Sequence, residues 1–311
     1  MSFIRPGGAF RTCLERQPCY TIGMLLKNPF NRPLADLVKK RYSCRSFDGR
    51  GLEPETLAAL EKFPSGLALP FKSRLRFGII DREKVRTENI FSTGSYGMIK
   101  GVRFYLSALT PKNVPRSWED IGFALEATIL YATALDLGSC WIGGIFDRKH
   151  FGRFLGMHED EILPAVVAVG RAAEKRSLRD RLVRWSAKGD MRKTPVAIFF
   201  SNDWQTPFPY ADFPRWAPVL ENVRLGPSAS NKQPWRIIVK DGGFHFFLDR
   251  DKAYSALMPN VDLQQIDIGI AMCHFQLSAS ELDLAGEWQD MDPKVVDTPA
   301  NYEYIVSFVI R

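Results

Sequence analysis

Two apolar runs dominate the pattern of this chain. One opens Asp120-Ile121-Gly122-Phe123-Ala124 and the other Asp267-Ile268-Gly269-Ile270-Ala271. From each Asp the run reaches a Leu 17 positions on (Leu137, Leu284) and a Trp 21 positions on (Trp141, Trp288), so an offset of 147 residues relates the two throughout. Matching starts and spacings predict an internal repeat, although the intervening identity is low. Each run predicts a long helix, over about 120–136 and about 265–282. Ile121, Phe123, Leu125, Ile129 and Leu130 make the first apolar on most faces; Ile268, Ile270, Met272, Phe275 and Leu277 do the same for the second. Such helices belong in a protein's interior. The pair is expected to pack together near a pseudo-twofold axis, as equivalent helices do in a homodimer.

The rest of the pattern is α+β. Leu34, Leu37 and Val38 predict a short helix after Pro33, with Lys39, Lys40 and Arg41 at its C-terminal end, where cations suit the helix dipole. A second helix, about 54–63, starts with Pro54 in its first turn and buries Leu57, Leu60 and Phe63. Strands are expected at 75–80, 102–108 and 164–169, and Asp147 is placed to cap a helix at 148–156. Later, apolar runs at 235–240 and 244–248 flank Asp241-Gly242-Gly243, a hairpin signal, and an alternating strand follows at 304–310. The expected organisation is an extension without a core role at 1–32, a first half at 33–175, a basic connection at 176–194 and a second half at 195–311.

Composition narrows the classes. The chain has 311 residues, 45% hydrophobic and 12% aromatic, ample for a large core. A net charge of +7 raises nucleic acid as a partner, but the 42 Lys and Arg are scattered and an anionic cofactor accounts for the excess as well. No nucleic-acid partner is expected. Cysteines at 13, 19, 44, 140 and 273 form no Cys-x-x-Cys pair, which argues against a disulfide framework or zinc site and points to a reducing cytoplasm. Cys44, between Arg41 and Arg45, could be a redox thiol; a small buried spacer is the preferred reading. His150, His158, His245 and His274 lack metal-ligand spacing, so a packed or solvated role and no metal are expected. No signal peptide is visible in Met1 to Tyr20. The longest apolar stretch, 121–146, is interrupted by Glu126 and Asp136 and loosened by Gly138, Gly143 and Gly144. It reads as a buried helix plus loop, and no membrane association is expected. No Gly-x-Gly-x-x-Gly follows a strand, so a Rossmann nucleotide domain is unsupported.

Candidate chemistry lies in three motifs. Residues 227–235 read Pro-Ser-Ala-Ser-Asn-Lys-Gln-Pro-Trp, with two hydroxyls and two carboxamides on a turn framed by prolines. Small donors on a rigid turn suit a flat, polar-edged ligand, and fixed prolines limit the entropy lost on binding. The first half carries Lys40-Arg41-Tyr42-Ser43-Cys44-Arg45-Ser46-Phe47, whose guanidiniums suit a phosphate monoester. It also carries Leu137-Gly138-Ser139-Cys140-Trp141-Ile142-Gly143-Gly144, where glycines let backbone approach a flat ring. Taken singly, the basic motif is also explained by a solvated helix end, and the glycine motif by a helix C-cap and turn.

Together and in this order, the three resemble the motifs of FMN-dependent nitroreductases, and the resemblance covers roughly 33–311. It implies the nitroreductase fold, central antiparallel and mixed sheets flanked by helices. It implies FMN, with Arg41 and Ser43 at the phosphate or ribityl chain and Tyr42 beside them. Arg45 would lie by the N1–C2 carbonyl edge as a fixed cation that stabilises the reduced ring. The Gly143 amide would donate to flavin N5, while Trp141 and Ile142 cover one ring face next to Gly144. Pro227, Ser228, Ala229, Asn231 and Gln233 would reach the flavin from across a dimer interface. Arg192 and Lys193 are the best match to a later basic element that reaches the phosphate.

The repeat carries one complete set. Where the first half should repeat the turn it has Phe63-Pro64-Ser65-Gly66, with no Asn-x-Gln-Pro-Trp after it. Where the second should repeat the glycine motif it has Ala285-Gly286-Glu287-Trp288-Gln289-Asp290, and it lacks Arg-x-Ser-x-Arg. The chain therefore resembles a fused pseudodimer with one flavin site retained, and a monomer is expected. The implied function is an oxidoreductase passing hydride from NAD(P)H through flavin N5 to a nitro, quinone or similar small acceptor. Two alternatives stay open: a flavin-binding or storage protein without turnover, and a specialised enzyme that cleaves flavin or removes halogen. Loops 82–101 and 200–216, expected to line the pocket, carry no signature that chooses between them.

Overall fold

The computed structural model describes residues 19–20, 29–85, 99–144, 146–174, 191–258 and 260–311. Most of the expected extension, of loop 82–101 and of the basic connection lies outside the described residues. The first central helix spans Ser117–Ala134 and the second Leu263–Glu281, close to the ranges their apolar runs predict. They cross backbone against backbone. A Cβ on Gly122 would lie 2.1 Å from the Ile266 carbonyl oxygen, and one on Gly269 would lie 1.9 Å from that of Glu119. Neither position admits a side chain. Glu119 and Ile266 are themselves 147 residues apart, so the two glycines make one contact in opposite senses. Reciprocal contacts of this kind are what a twofold-related pair requires. They also explain why both runs open Asp-Ile-Gly.

In chain order the first strands are β1 (Cys19–Tyr20), β2 (Arg76–Asp81), β3 (Phe104–Pro111), β4 (Gly138–Ile142), β5 (Glu161–Ile162) and β6 (Val166–Gly170). They are followed by β7 (Phe199–Ser201), β8 (Asp203–Pro207), β9 (Trp235–Lys240), β10 (Gly243–Asp249), β11 (Gly286–Gln289) and β12 (Tyr302–Ile310). One sheet has the order β2-β3-β6-β4, with β5 paired to β3; the other runs β1-β11-β12-β10-β9-β7-β8. All pairs are antiparallel except β7 with β9. The first central helix lays Ile121, Leu125 and Ile129 on Phe104, Leu106, Val167 and Val169 of the smaller sheet. Its opposite face, with Phe123, Ala127 and Leu130, joins the second helix and the larger sheet in the main core. This explains the all-round apolarity of the sequence: each face meets a different layer.

Several expectations are adjusted. Residues 138–142, read as a loop, form β4, paired with β6 from Gly138↔Gly170 to Ile142↔Val166. The turn proper is Gly143-Gly144. The extension is not all peripheral: Phe30 is buried in the main core, and β1 adds an edge to the larger sheet beside β11. Residues 199–207 form β7 and β8 rather than a pocket loop. Asp147 caps the helix Arg148–Phe154 by accepting from the His150 N–H at 3.0 Å, as its position predicts.

Candidate functional site

Three segments from distant parts of the chain meet at one cleft. The first leaves the helix Leu34–Lys40 at Arg41, where ψ becomes 129° and the backbone extends. It then runs beside β4: Ser43 bridges to Ser139, and the Cys44 N–H donates to the Ser139 carbonyl at 2.8 Å. Strand alternation puts Arg41, Ser43 and Arg45 on one side. All three line the cleft, and so does Tyr42. Cys44 points the other way and is buried against Gly138, which makes it a spacer.

The second segment is the end of β4. Trp141, Ile142, Gly143 and Gly144 form one wall. A Cβ on Gly143 would come within 2.7 Å of a Leu263 methyl, so the turn can press against the start of the second central helix because it has none. Arg148 braces this turn. Its guanidinium donates to the carbonyls of Gly143, Gly144 and Pro164.

The third segment is the turn after the helix Ala217–Leu225. Pro227, Ser228, Ala229 and Asn231 line the cleft. The backbone passes through positive φ at Ser230 (49°), Asn231 (55°) and Gln233 (49°). Non-glycine residues adopt such values where surrounding contacts impose them. Here the contacts are visible. Ser228 Oγ accepts from the Gln233 N–H at 2.8 Å, and Asp267 Oδ1 accepts from the Ala229 N–H at 2.9 Å. Asn231 Oδ1 accepts from Arg192 at 3.0 Å, and its Nδ2 donates to the Met191 carbonyl at 2.8 Å. Arg192 also donates to the Leu225 carbonyl, which seats it on the cleft rim.

Two expected residues stand elsewhere. Gln233 is buried behind the turn, accepting from the Lys193 N–H at 2.8 Å and donating to the Asn231 carbonyl at 3.2 Å, so it shapes the turn rather than lining the cleft. Lys193 lies outside the lining too. Burial, with the Arg236 charge, lowers its ammonium to about 8.

The cleft has a volume of about 770 Å³, within the roughly 300–1,000 Å³ common for small-molecule sites. Arg41, Arg45 and Arg192 give its lining a cationic character, while Leu263, Ile266 and Ile270 of the second central helix give it an apolar floor. The sequence reading missed this floor, together with Tyr254 and Met258, whereas Ile99 belongs to the loop 82–101 that was expected to line the pocket. Asp267 also lines it. Its Oδ2 is buried with no hydrogen-bond partner among the described residues, and burial raises its carboxyl well above the usual range. The arrangement can hold a flat molecule with an anionic tail.

A family described as "Putative TM nitroreductase" matches residues 34–279. The chain belongs to this nitroreductase family. Among solved structures, one called "a putative nitroreductase" from Thermotoga maritima is 17% identical to it, with a TM-score of 0.56 over 90% of this chain and 94% of that one. An FMN-dependent nitroreductase from Clostridium difficile is 21% identical, covering 45% of this chain and 88% of its own, with a TM-score of 0.36. An iodotyrosine deiodinase bound to FMN and 3-iodo-L-tyrosine is 18% identical, covering 47% and 92%, with a TM-score of 0.40. No curated protein matches this nitroreductase-family chain. Among its described residues, no helix is long and apolar enough to cross a membrane.

Proposed function

We propose that this chain is an FMN-dependent oxidoreductase that takes hydride from NAD(P)H and passes it to a nitro, quinone or similar small acceptor. Its single flavin site lies between two fused halves, so the protein works as a monomer, in the cytoplasm. The observation that carries this reading is the convergence of residues 41–45, 141–144 and 227–231 on one cleft.

The residues present fit the cofactor. Three guanidiniums lining one cleft suit an anionic cofactor, a phosphate and ribityl chain included. A narrow apolar floor and a wall made by Trp141 and Ile142 suit an isoalloxazine. Bound FMN would supply the redox chemistry, taking and giving hydride at N5. The protein's part is to bind, orient and set charge. Arg41, Ser43 and Arg192 would hold the anionic tail, and Arg45 would place a fixed cation beside the ring. The Gly143 amide, on a turn clamped by Arg148, would present an N–H to the ring edge. Asn231 would act chiefly by fixing Arg192.

The test is direct. Purified protein should show a flavin spectrum with about one FMN per chain and should oxidise NADH or NADPH when menadione or nitrofurazone is added. A flavin count near two would contradict the single site. A yellow protein with no turnover would select the storage alternative, and a colourless one that refuses added FMN would end the proposal.

A further inference from the structure

Behind the Trp141 wall runs a buried chain of hydrogen bonds. The indole Nε1–H donates to Glu126 Oε2 at 2.8 Å. Glu126 Oε1 lies 3.0 Å from His274 Nε2, and His274 Nδ1 lies 2.9 Å from the Asn222 carbonyl oxygen. Glu126 and His274 are both 0% exposed. Glu126 comes from the first central helix, His274 from the second and Asn222 from the helix Ala217–Leu225. The chain of bonds therefore ties both halves to one wall of the cleft.

Hydrogen-bond chemistry fixes the proton count. A carbonyl oxygen only accepts, so His274 Nδ1 carries a hydrogen. An indole N–H only donates, so Glu126 Oε2 accepts. One proton remains to lie between Oε1 and Nε2. On nitrogen it gives a carboxylate and an imidazolium; on oxygen, a carboxylic acid and a neutral imidazole. Both forms have zero net charge and differ by transfer along one hydrogen bond.

The surroundings bias the choice. Burial raises the Glu126 carboxyl, but the His274 bond and charge, the Arg41 charge and the Trp141 N–H outweigh it and hold it below the usual range. Asp267 and Cys273 interact with Glu126 as well. Arg41 also lines the cleft, so an anion seated there offsets part of the field that keeps the proton off Glu126.

We propose that Glu126 and His274 share one mobile proton that moves toward Trp141 when the cleft gains negative charge, with Glu126 as the positioning residue for the indole. The proposal rests on the flavin reading for the identity of the anion. In the transfer the Nε2–H bond breaks and the Oε1–H bond forms, and no charge leaves the pair. A carboxylate behind the wall would repel the incoming charge; a carboxylic acid does not. The same oxygen keeps the indole N–H satisfied and its ring fixed.

Glu126→Gln is the informative variant because it conserves every hydrogen bond. Its carboxamide oxygen accepts from Trp141, its NH2 donates to neutral His274 Nε2, and the mobile proton is gone. Imidazole nitrogen NMR of flavin-stripped protein, with His274→Gln to assign the signal, is recorded before and after FMN is added. In the wild type the Nε2 signal should move from the imidazolium toward the neutral position; in Glu126→Gln it should be neutral throughout. The variant should also bind the reduced cofactor about tenfold less well relative to the oxidised one, a fall of about 30 mV in the two-electron potential. A wild-type signal that stays still while FMN binds, or an unchanged potential in Glu126→Gln, overturns the proposal. If FMN does not bind, the function reading fails on its own account. Inorganic phosphate then serves as the anion, and a still signal with phosphate bound sinks the shared proton.

Discussion

Trp141 and Trp288 stand 147 residues apart, each in the strand that follows a central helix. Trp141 walls the cationic cleft and gives its N–H to Glu126. Trp288 is 1% exposed and gives its N–H to Gln276. Beside it lies a hollow of about 630 Å³ bordered by Pro64, Ser65, Ser73 and Gln276. Lys72 and Arg74 line it with Ser73, but they come from a segment that does not repeat Arg41-Tyr42-Ser43-Cys44-Arg45, and Asp290-Met291 stands where the repeat calls for Gly143-Gly144. The leading aspartates differ in the same way. Asp120 accepts two backbone N–H bonds, from Phe71 at 3.0 Å and Ser73 at 2.8 Å. Asp267 accepts one, from Ala229, and its second oxygen is buried with no hydrogen-bond partner among the described residues. Parts that packing demands occur twice. The residues that line the cationic cleft are not repeated in the same way.

The largest contrast should come from the two tryptophans. Trp288→Ala empties a sealed core position and should cost about 3–5 kcal/mol of stability, read from urea unfolding, with no specific effect on flavin. Trp141→Ala should do the reverse, shedding FMN on dialysis at a smaller cost in stability. Equal stability losses would break the comparison. At the crossing the halves should instead behave alike: Gly122→Ala and Gly269→Ala should each cost about 1–3 kcal/mol by overpacking, and tolerance at either site would contradict the reciprocal contact.

Cofactor binding should respond on one side of the molecule. Arg41→Ala should weaken FMN by ~1.5–3 kcal/mol and Asn231→Ala by ~1 kcal/mol, measured by flavin fluorescence titration. The aspartates give the finest contrast. Asp120→Asn sets an NH2 against a backbone donor and should cost about 1–3 kcal/mol. Asp267→Asn should behave differently with pH. The raised Asp267 carboxyl keeps a proton in the folded state that the unfolded chain releases near ~3.9. Its contribution is whole below that value and is lost as pH rises toward the folded value. Asp267→Asn should therefore match the wild type near pH 4 and exceed it in urea midpoint at pH 7.

Much of this was legible in the sequence because periodicity reports burial. The central helices, the 235–249 hairpin and the three motifs follow from spacing and turn chemistry. Glu126 was visible as a carboxylate in an apolar run, and a buried carboxylate must find partners. Its partners lie 15 and 148 residues away, at Trp141 and His274, a pairing that no local pattern encodes. Gln233 misled for a related reason. It shares a motif with Asn231, but the positive-φ turn sends it inward, toward Lys193. The apolar floor was hidden because Leu263, Ile266 and Ile270 serve core and cleft at once.

The backbone-to-backbone crossing at Gly122 and Gly269 bears on how cargo enters and leaves. With carbonyl oxygens where side chains would otherwise cushion the contact, the two long rods have no room to slide or hinge past each other. The cleft wall beside that rigid crossing includes Tyr254, Leu257 and Met258, of which Leu257 is 73% exposed.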